Sequence, residues 1–291
     1  MRLPKIYDHF QCGQIFTIDE AREALNSTGN TLRKRLCELA TRGYLSQIRQ
    51  GMYRLMNPEA PLANASPLVI ASKLTPFCYI GFRTALKYHV TGEIPIPGEV
   101  AYVVSSTKFN GFEYEGVPYY WCQSPDPYGL DTHLITDEGL EYPVLVTNFE
   151  KTLVDCLKRP QHGMPLSELI AFAYRHDNPP DLARLFTYAC DEEVAAVFNK
   201  VGYFLELMQR HWNIPNEFLE EIRSRMTRKH TSWSARRGAF LLEQPTIAQV
   251  PIENSLATEI AARWKINLGP NGIGFSHATL TGAETAGAAV N

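Results

Sequence analysis

The side chains best placed to do chemistry in this sequence are cations and amides rather than nucleophiles. Asn30, Arg33, Lys34 and Thr41 fall within one stretch, GNTLRKRLCELAT, and Arg49 and Arg54 follow in IRQGMYRL. Guanidinium and ammonium groups pair with phosphate, and Asn and Arg also make paired hydrogen bonds to base edges. At about 100° per residue, Asn30, Lys34, Cys37 and Thr41 share the face opposite Leu32, Leu36, Leu39 and Ala40, with Arg33 on its flank. The spacing predicts a helix with an apolar stripe inside and a cationic face outside. On that reading Asn30, Arg33, Lys34 and Thr41 enter a groove of double-stranded DNA, while Arg49 and Arg54 hold phosphates. The competing reading is a solvated basic face on an ordinary helical subdomain.

Charge concentrates a second time in RSRMTRKHTSWSARRG, where Arg223, Arg225, Arg228, Lys229, Arg236 and Arg237 occur with no acid between them. These cations could end a helix at the negative pole of its dipole, or form a contact surface for nucleic acid or an acidic partner. Both readings stay open. Signatures of catalysis are missing: there is no GxSxG, P-loop, HExxH or GxGxxG. Glu150, Lys151 and Asp155 have the residue types of a nuclease site. Their placement on a helix after a strand, with Leu153 turned inward, favours a structural role. Cys12, Cys37, Cys78, Cys122, Cys156 and Cys190 are widely spaced without a CxxC pair, so most are expected to be buried thiols rather than a metal site, with Cys37, on the polar face of the cationic helix, the exception. No catalytic residue, metal or cofactor is expected.

Short elements must position the cationic helix. Thr17 with Glu20 forms a capping box for a helix running to about Leu25. Asn26 to Gly29 make a polar turn, and Gly43 stops the second helix. Tyr44–Arg49 and Met52–Met56 read as strands around a Gln50-Gly51 turn, and residues 3–11 as a first helix that seats Ile6 and Phe10 below. That order predicts a winged helix-turn-helix over residues 1–58.

The stretch 59–67, EAPLANASP, reads as a linker and places a domain boundary there. Residues 68–268 then read as a second domain. Helices are expected at Leu68–Leu74 and Phe82–Val90. Strands are expected at Glu99–Ser106, Phe109–Glu115 and Val117–Cys122 as an antiparallel meander, and at Tyr142–Val146. Further helices are expected at Asn148–Lys158, Pro165–Arg175, Pro180–Cys190, Glu192–His211 and Pro215–Arg228, with proline in several first turns. Residues 269–291 lack periodicity and are expected to be disordered. The fold class is α+β: an N-terminal winged helix-turn-helix followed by a larger mixed α/β domain ending in a helical bundle.

A net charge of −3 over 291 residues argues against binding nucleic acid with the whole surface. Its distribution is uneven: residues 1–58 hold nine Lys/Arg against five acids, and the rest holds 19 against 26. A basic head on an acidic body fits a local DNA contact. No apolar run approaches the roughly 20 residues of a membrane span, and the first residues lack a signal-peptide core. The expected location is the cytoplasm.

The sequence resembles the AbiEi family of bacterial antitoxins, from type IV toxin–antitoxin and phage-defence operons. FTIDEA, RLCELATRGYL and IRQGMYRL carry the likeness in the head; PLVIASKL, YIGFRTALKYH, VTNFEKTLVDCLKRP and WKINL carry it beyond. The resemblance implies a non-enzymatic repressor of its own operon that counteracts a nucleotidyltransferase-like toxin, a functional partner it need not touch. The acidic balance of residues 59–291 departs from the basic C-terminal domains associated with that family. The alternatives are a ligand-sensing winged-helix regulator and a nuclease targeted by a winged helix.

Overall fold

The structure is a computed structural model that describes residues 4–27, 29–92, 95–123, 127–176, 178–192, 194–232, 252 and 254–268. It is a mixed α/β protein that divides into two compact units, Met1–Ala85 with Glu93–Asn148, and Leu86–Gly92 with Phe149–Asn291.

The first unit opens on a single 3-10 turn, Lys5–Asp8, shorter than the helix expected over residues 3–11, although Ile6 and Phe10 are buried as anticipated. Then follow β1 (Ile15–Thr17), α1 (Ile18–Ala24), α2 (Gly29–Thr41), β2 (Leu45–Arg49) and β3 (Met52–Leu55). The three strands form an antiparallel sheet in the order β1-β3-β2. β1 was not expected, because IFT reads as the lead-in to a capped helix. The capping box is present: the Glu20 amide donates to Thr17 Oγ1 at 3.2 Å, and the Thr17 amide donates to Glu20 Oε2 at 2.6 Å. Leu32, Leu36 and Leu39 of α2 pack with Ile6, Phe10, Phe16, Ala21, Leu45, Tyr53 and Leu55 into one apolar core.

The chain continues through α3 (Pro67–Ser72), β4 (Tyr79–Ile80), α4 (Phe82–Thr91), β5 (Ala101–Ser105), β6 (Phe112–Tyr114), β7 (Val117–Gln123), β8 (Leu130–Asp137) and β9 (Leu140–Thr147). These strands form a six-stranded sheet in the order β6-β7-β5-β4-β9-β8. It is not the meander expected from spacing, since β5 runs parallel to β7 and β4 parallel to β9. The β6–β7 hairpin folds back so that β7, not β6, lies beside β5.

The expected domain boundary at residues 59–67 is also corrected. The Ala63 amide donates to Glu138 Oε1 at 2.9 Å and the Ala65 amide to Glu115 Oε2 at 2.9 Å, while Ala65, Ser66 and Pro67 are buried. Lys73 Nζ lies 2.6 Å from Glu20, and the Ile15 amide donates to the Tyr142 hydroxyl at 3.3 Å. The head and the six-stranded sheet are thus one unit. Burial alone would raise the Glu20 carboxyl, but the hydrogen bonds from Lys73 and Thr17 outweigh it and hold Glu20 below its ordinary value. A depressed acid contributes stability that is present above its unfolded value and lost as pH falls through the folded one. Glu20→Gln should therefore destabilise at neutral pH and progressively less on acidification, read as urea midpoints at several pH values. A difference independent of pH would show that the ion pair contributes nothing.

The second unit contains α5 (Phe149–Lys158), α6 (Leu166–Tyr174), α7 (Leu182–Asp191), α8 (Ala195–Trp212), α9 (Asn216–Arg225) and α10 (Asn254–Arg263), with β10 (Thr231–Ser232) parallel to β11 (Ile266–Asn267). α5, α6, α7, α9 and α10 all contact α8, the longest of them. Pro165 and Pro215 occupy the N-cap rather than the first turn, and Asp181 caps α7 by accepting from the Arg184 amide at 3.0 Å. The expected tail at 269–291 lies outside the described residues.

Candidate nucleic-acid interface

The α1–α2 turn uses Asn26 (φ 43°) and Gly29 (φ +65°), both residue types that tolerate the left-handed region. α2 then points its leucines at the core and leaves Asn30, Arg33, Lys34, Arg35, Cys37, Glu38 and Thr41 exposed, followed by exposed Arg42. Arg33, Lys34, Arg35 and Arg42 form no ion pair with a carboxylate among the described residues. Lys34, Cys37, Glu38, Thr41 and Arg42 line one shallow, open groove. The Thr41 hydroxyl donates to the Cys37 carbonyl at 3.0 Å, so only its lone pairs face outward. Asn30, Arg33, Lys34 and Thr41 thus occupy the outer surface that the spacing assigned them. Arg35 and Arg42 were missed, because helical spacing sets Arg35 beside the leucine stripe and Arg42 lies just past the end of α2.

The two hairpin cations are elsewhere. Arg54 is 2% exposed: its Nε donates to the Gly13 carbonyl at 3.2 Å and its Nη1 to the Ala63 carbonyl at 2.6 Å. Nη2 lies 3.4 Å from Glu138 and 3.8 Å from Asp137. A side chain so enclosed cannot reach a phosphate, and its role is corrected to that of an internal tie. Gly13 (φ +86°) must be glycine here, because a Cβ would come within 2.6 Å of Glu138 Cβ. Arg49 is half-buried, its guanidinium 5.5 Å from the Phe112 ring centre and 5.8 Å from that of Phe109. Cation–π packing on the sheet, rather than a free position at the hairpin tip, is what Arg49 supplies. Gln50 occupies the exposed tip instead.

The second basic cluster is partly spent. Arg223 lies 2.5 Å from Glu220, 3.6 Å from Glu206 and over the Trp264 ring. Arg225 is exposed, yet its guanidinium packs 5.4 Å from the Phe186 ring centre. Arg228 and Lys229 are exposed, and Arg236 and Arg237 lie outside the described residues. Glu150, Lys151 and Asp155 are built into packing. Lys151 pairs with Asp155 and, at 3.1 Å, with Glu192; Glu150 accepts from the Asp181 amide at 2.8 Å. Burial pushes the Asp155 carboxyl up, against the pull of Lys151. Among the described residues, no three His, Cys, Asp or Glu side chains converge as metal ligands would, and no helix is long and apolar enough to cross a membrane. Cys78, Cys122 and Cys156 are buried thiols, whereas Cys37 is exposed.

No protein-family model and no curated protein matches this chain. Among solved structures the chain is similar to the RV2827C protein from Mycobacterium tuberculosis, with a TM-score of 0.52 over 77% of this chain and 81% of that one, at 12% identity. At that identity the likeness is one of fold.

Proposed function

We propose that the head is a winged helix-turn-helix and that the chain is a non-enzymatic, cytoplasmic DNA-binding repressor of its own operon. In this reading it also counteracts a nucleotidyltransferase-like toxin, as an AbiEi-type antitoxin would. The observation that carries the DNA reading is α2 and the residue that follows it: Arg33, Lys34 and Arg35 on the helix and Arg42 just past its end, exposed without a carboxylate partner among the described residues. Cations left uncompensated on one helix favour an anionic ligand, and phosphate is the one that a helix following a short turn is shaped to meet. The order 3-10 turn, β1, α1, α2, β2, β3 supports the winged-helix reading, with α2 as the recognition helix. The commitment of Glu150, Lys151 and Asp155 to internal pairs weighs against the nuclease alternative.

The head cannot be cut away at residue 58 without stripping Arg54 of Ala63, Asp137 and Glu138, so the test keeps the full chain. Arg33→Ala with Lys34→Ala should derepress a reporter driven by the chain's own promoter. The same variant should still rescue growth when co-expressed with a nucleotidyltransferase toxin from the same operon. Rescue that tracks promoter binding would mean that neutralisation runs through DNA. Failure of the wild type to rescue would remove the antitoxin part of the proposal and leave the repressor part standing.

A further inference from the structure

The two edges of the six-stranded sheet are unlike. β6 is three residues long, and the hydroxyl of its Tyr114 lies 2.9 Å from Ser46 Oγ on β2, so the head guards that edge. β8 runs eight residues and keeps an unbroken register with β9, from Leu130 opposite Thr147 to Asp137 opposite Leu140. It contains no proline, lysine, arginine or bulge to stop an edge from pairing, and its acids, Asp131 and Asp137, stand near its two ends. Leu134 is 64% exposed, and Thr132 and Thr136 are exposed on the same face. Among the described residues no strand pairs with the side of β8 that faces away from β9, and the backbone groups there form a template for another strand.

The side chains say which strand. The segment DTHLITD, Asp131–Asp137, reads almost the same in both directions about Leu134. A two-fold axis through Leu134 would set it against the partner's Leu134 and Thr132 against the partner's Thr136. Apolar and Thr–Thr cross-strand pairs of this kind stabilise antiparallel sheets. Asp131 would face the partner's Asp137 and Asp137 the partner's Asp131, two like-charge pairs. Within each chain, however, Arg54 lies 3.8 Å from Asp137 and offsets that charge. We propose that two copies of this chain associate through antiparallel β8–β8 pairing, joining two six-stranded sheets edge to edge. If α2 reads DNA, as argued above, the same two-fold supplies two recognition helices and implies an inverted-repeat operator.

Sedimentation equilibrium of the full chain without DNA tests the pairing separately from the DNA reading. The expected mass is that of two 32.9-kDa chains. Leu134→Lys with Thr136→Lys, both at exposed positions, should reduce it to one chain with an unchanged far-ultraviolet spectrum. A second variant covers the case in which the lysines disturb folding. Opposed Cα atoms on antiparallel strands lie about 4.5–5.5 Å apart, inside disulfide reach. Leu134→Cys, in a Cys37→Ser background, should therefore form a disulfide-linked dimer under mild oxidation. A single-chain mass for the wild type up to its solubility limit, a dimer that survives the two lysines in a folded protein, or no cross-link would each overturn the proposal. Loss of DNA binding by a chain that still sediments as a dimer would count against the repressor reading alone.

Discussion

Arg54→Ala is expected to cost about 3–5 kcal/mol of stability, the range for removing one partner of a buried ion pair. The guanidinium satisfies the Gly13 and Ala63 carbonyls and faces Asp137 and Glu138; Gly13 and Asp137 are buried, whereas Ala63 and Glu138 stand at the surface. Alanine would leave the buried Gly13 carbonyl without its donor and the buried Asp137 carboxylate without its counter-charge. Lysine should not rescue, because one ammonium cannot span the four groups that the planar fork reaches. The sign of the pH dependence follows from Asp137. Burial raises its carboxyl above the ordinary value, although Arg54 and the Ser66 amide pull the other way. A raised acid loses stability as pH rises through the window between its unfolded and folded values. Without Arg54 that window widens, so the deficit of the variant should be largest at neutral pH and shrink on acidification. Urea unfolding of wild type and variant at several pH values reads both effects. A neutral-pH loss below about 1 kcal/mol, the size expected of a surface cation, would return Arg54 to the list of phosphate ligands.

Gly202→Ala should destabilise the second unit by about 1–3 kcal/mol through overpacking. In most helix interiors this substitution helps, since alanine exceeds glycine in helix propensity by about 1 kcal/mol. Here the new methyl would sit inside the contact radius of the Trp264 ring. Trp264 has little room to yield: it is fully buried, its indole N–H donates to Glu206, and its carbonyl accepts from Asn199 Nδ2 at 2.9 Å. Arg223 lies 5.1 Å from its ring centre. Trp264→Phe should relieve part of the clash, so the double variant should lose less than the sum of the two single changes. A neutral or higher melting temperature for Gly202→Ala would mean that Trp264 does not pack against α8 in this way.

What the sequence made legible is local. Thr17 and Glu20 are three residues apart, the leucines of α2 recur within eight positions, and Gly43 marks the end of its own helix. Each of these signals is contained in a single turn or two. Arg54 and Arg49 were misread because what holds them is distant in sequence: Asp137 and Glu138 for one, Phe109 and Phe112 for the other. A cation beside a hairpin turn looks the same on paper whether solvent or a sheet lies behind it. The burial of Arg54 did leave one trace, since it stands between Tyr53 and Leu55 in a strand whose residues are all buried. EAPLANASP has the composition of a linker, but the acids that bind its backbone, Glu115 and Glu138, lie 50 and 75 residues further on. β8 escaped notice because an exposed Leu134 stands beside the buried Ile135 and breaks the apolar–polar alternation that marks a strand with one face in solvent. The second unit was easier, since its helices bury apolar stripes against one another.

If α2 meets DNA through Asn30, Arg33 and Lys34, the affinity of the full chain for its own promoter must depend on salt and on those side chains. Log affinity should fall linearly with log salt, each phosphate contact adding about −0.9 to the slope. Asn30→Ala and Arg33→Ala should each cost about 1–3 kcal/mol on the promoter and much less on a scrambled duplex. Lys34→Ala with Arg35→Ala should weaken both duplexes alike and flatten the slope, whereas Arg49→Ala should leave the slope unchanged. Promoter binding unaffected by Asn30→Ala, Arg33→Ala and the Lys34→Ala, Arg35→Ala pair would contradict the assignment of α2.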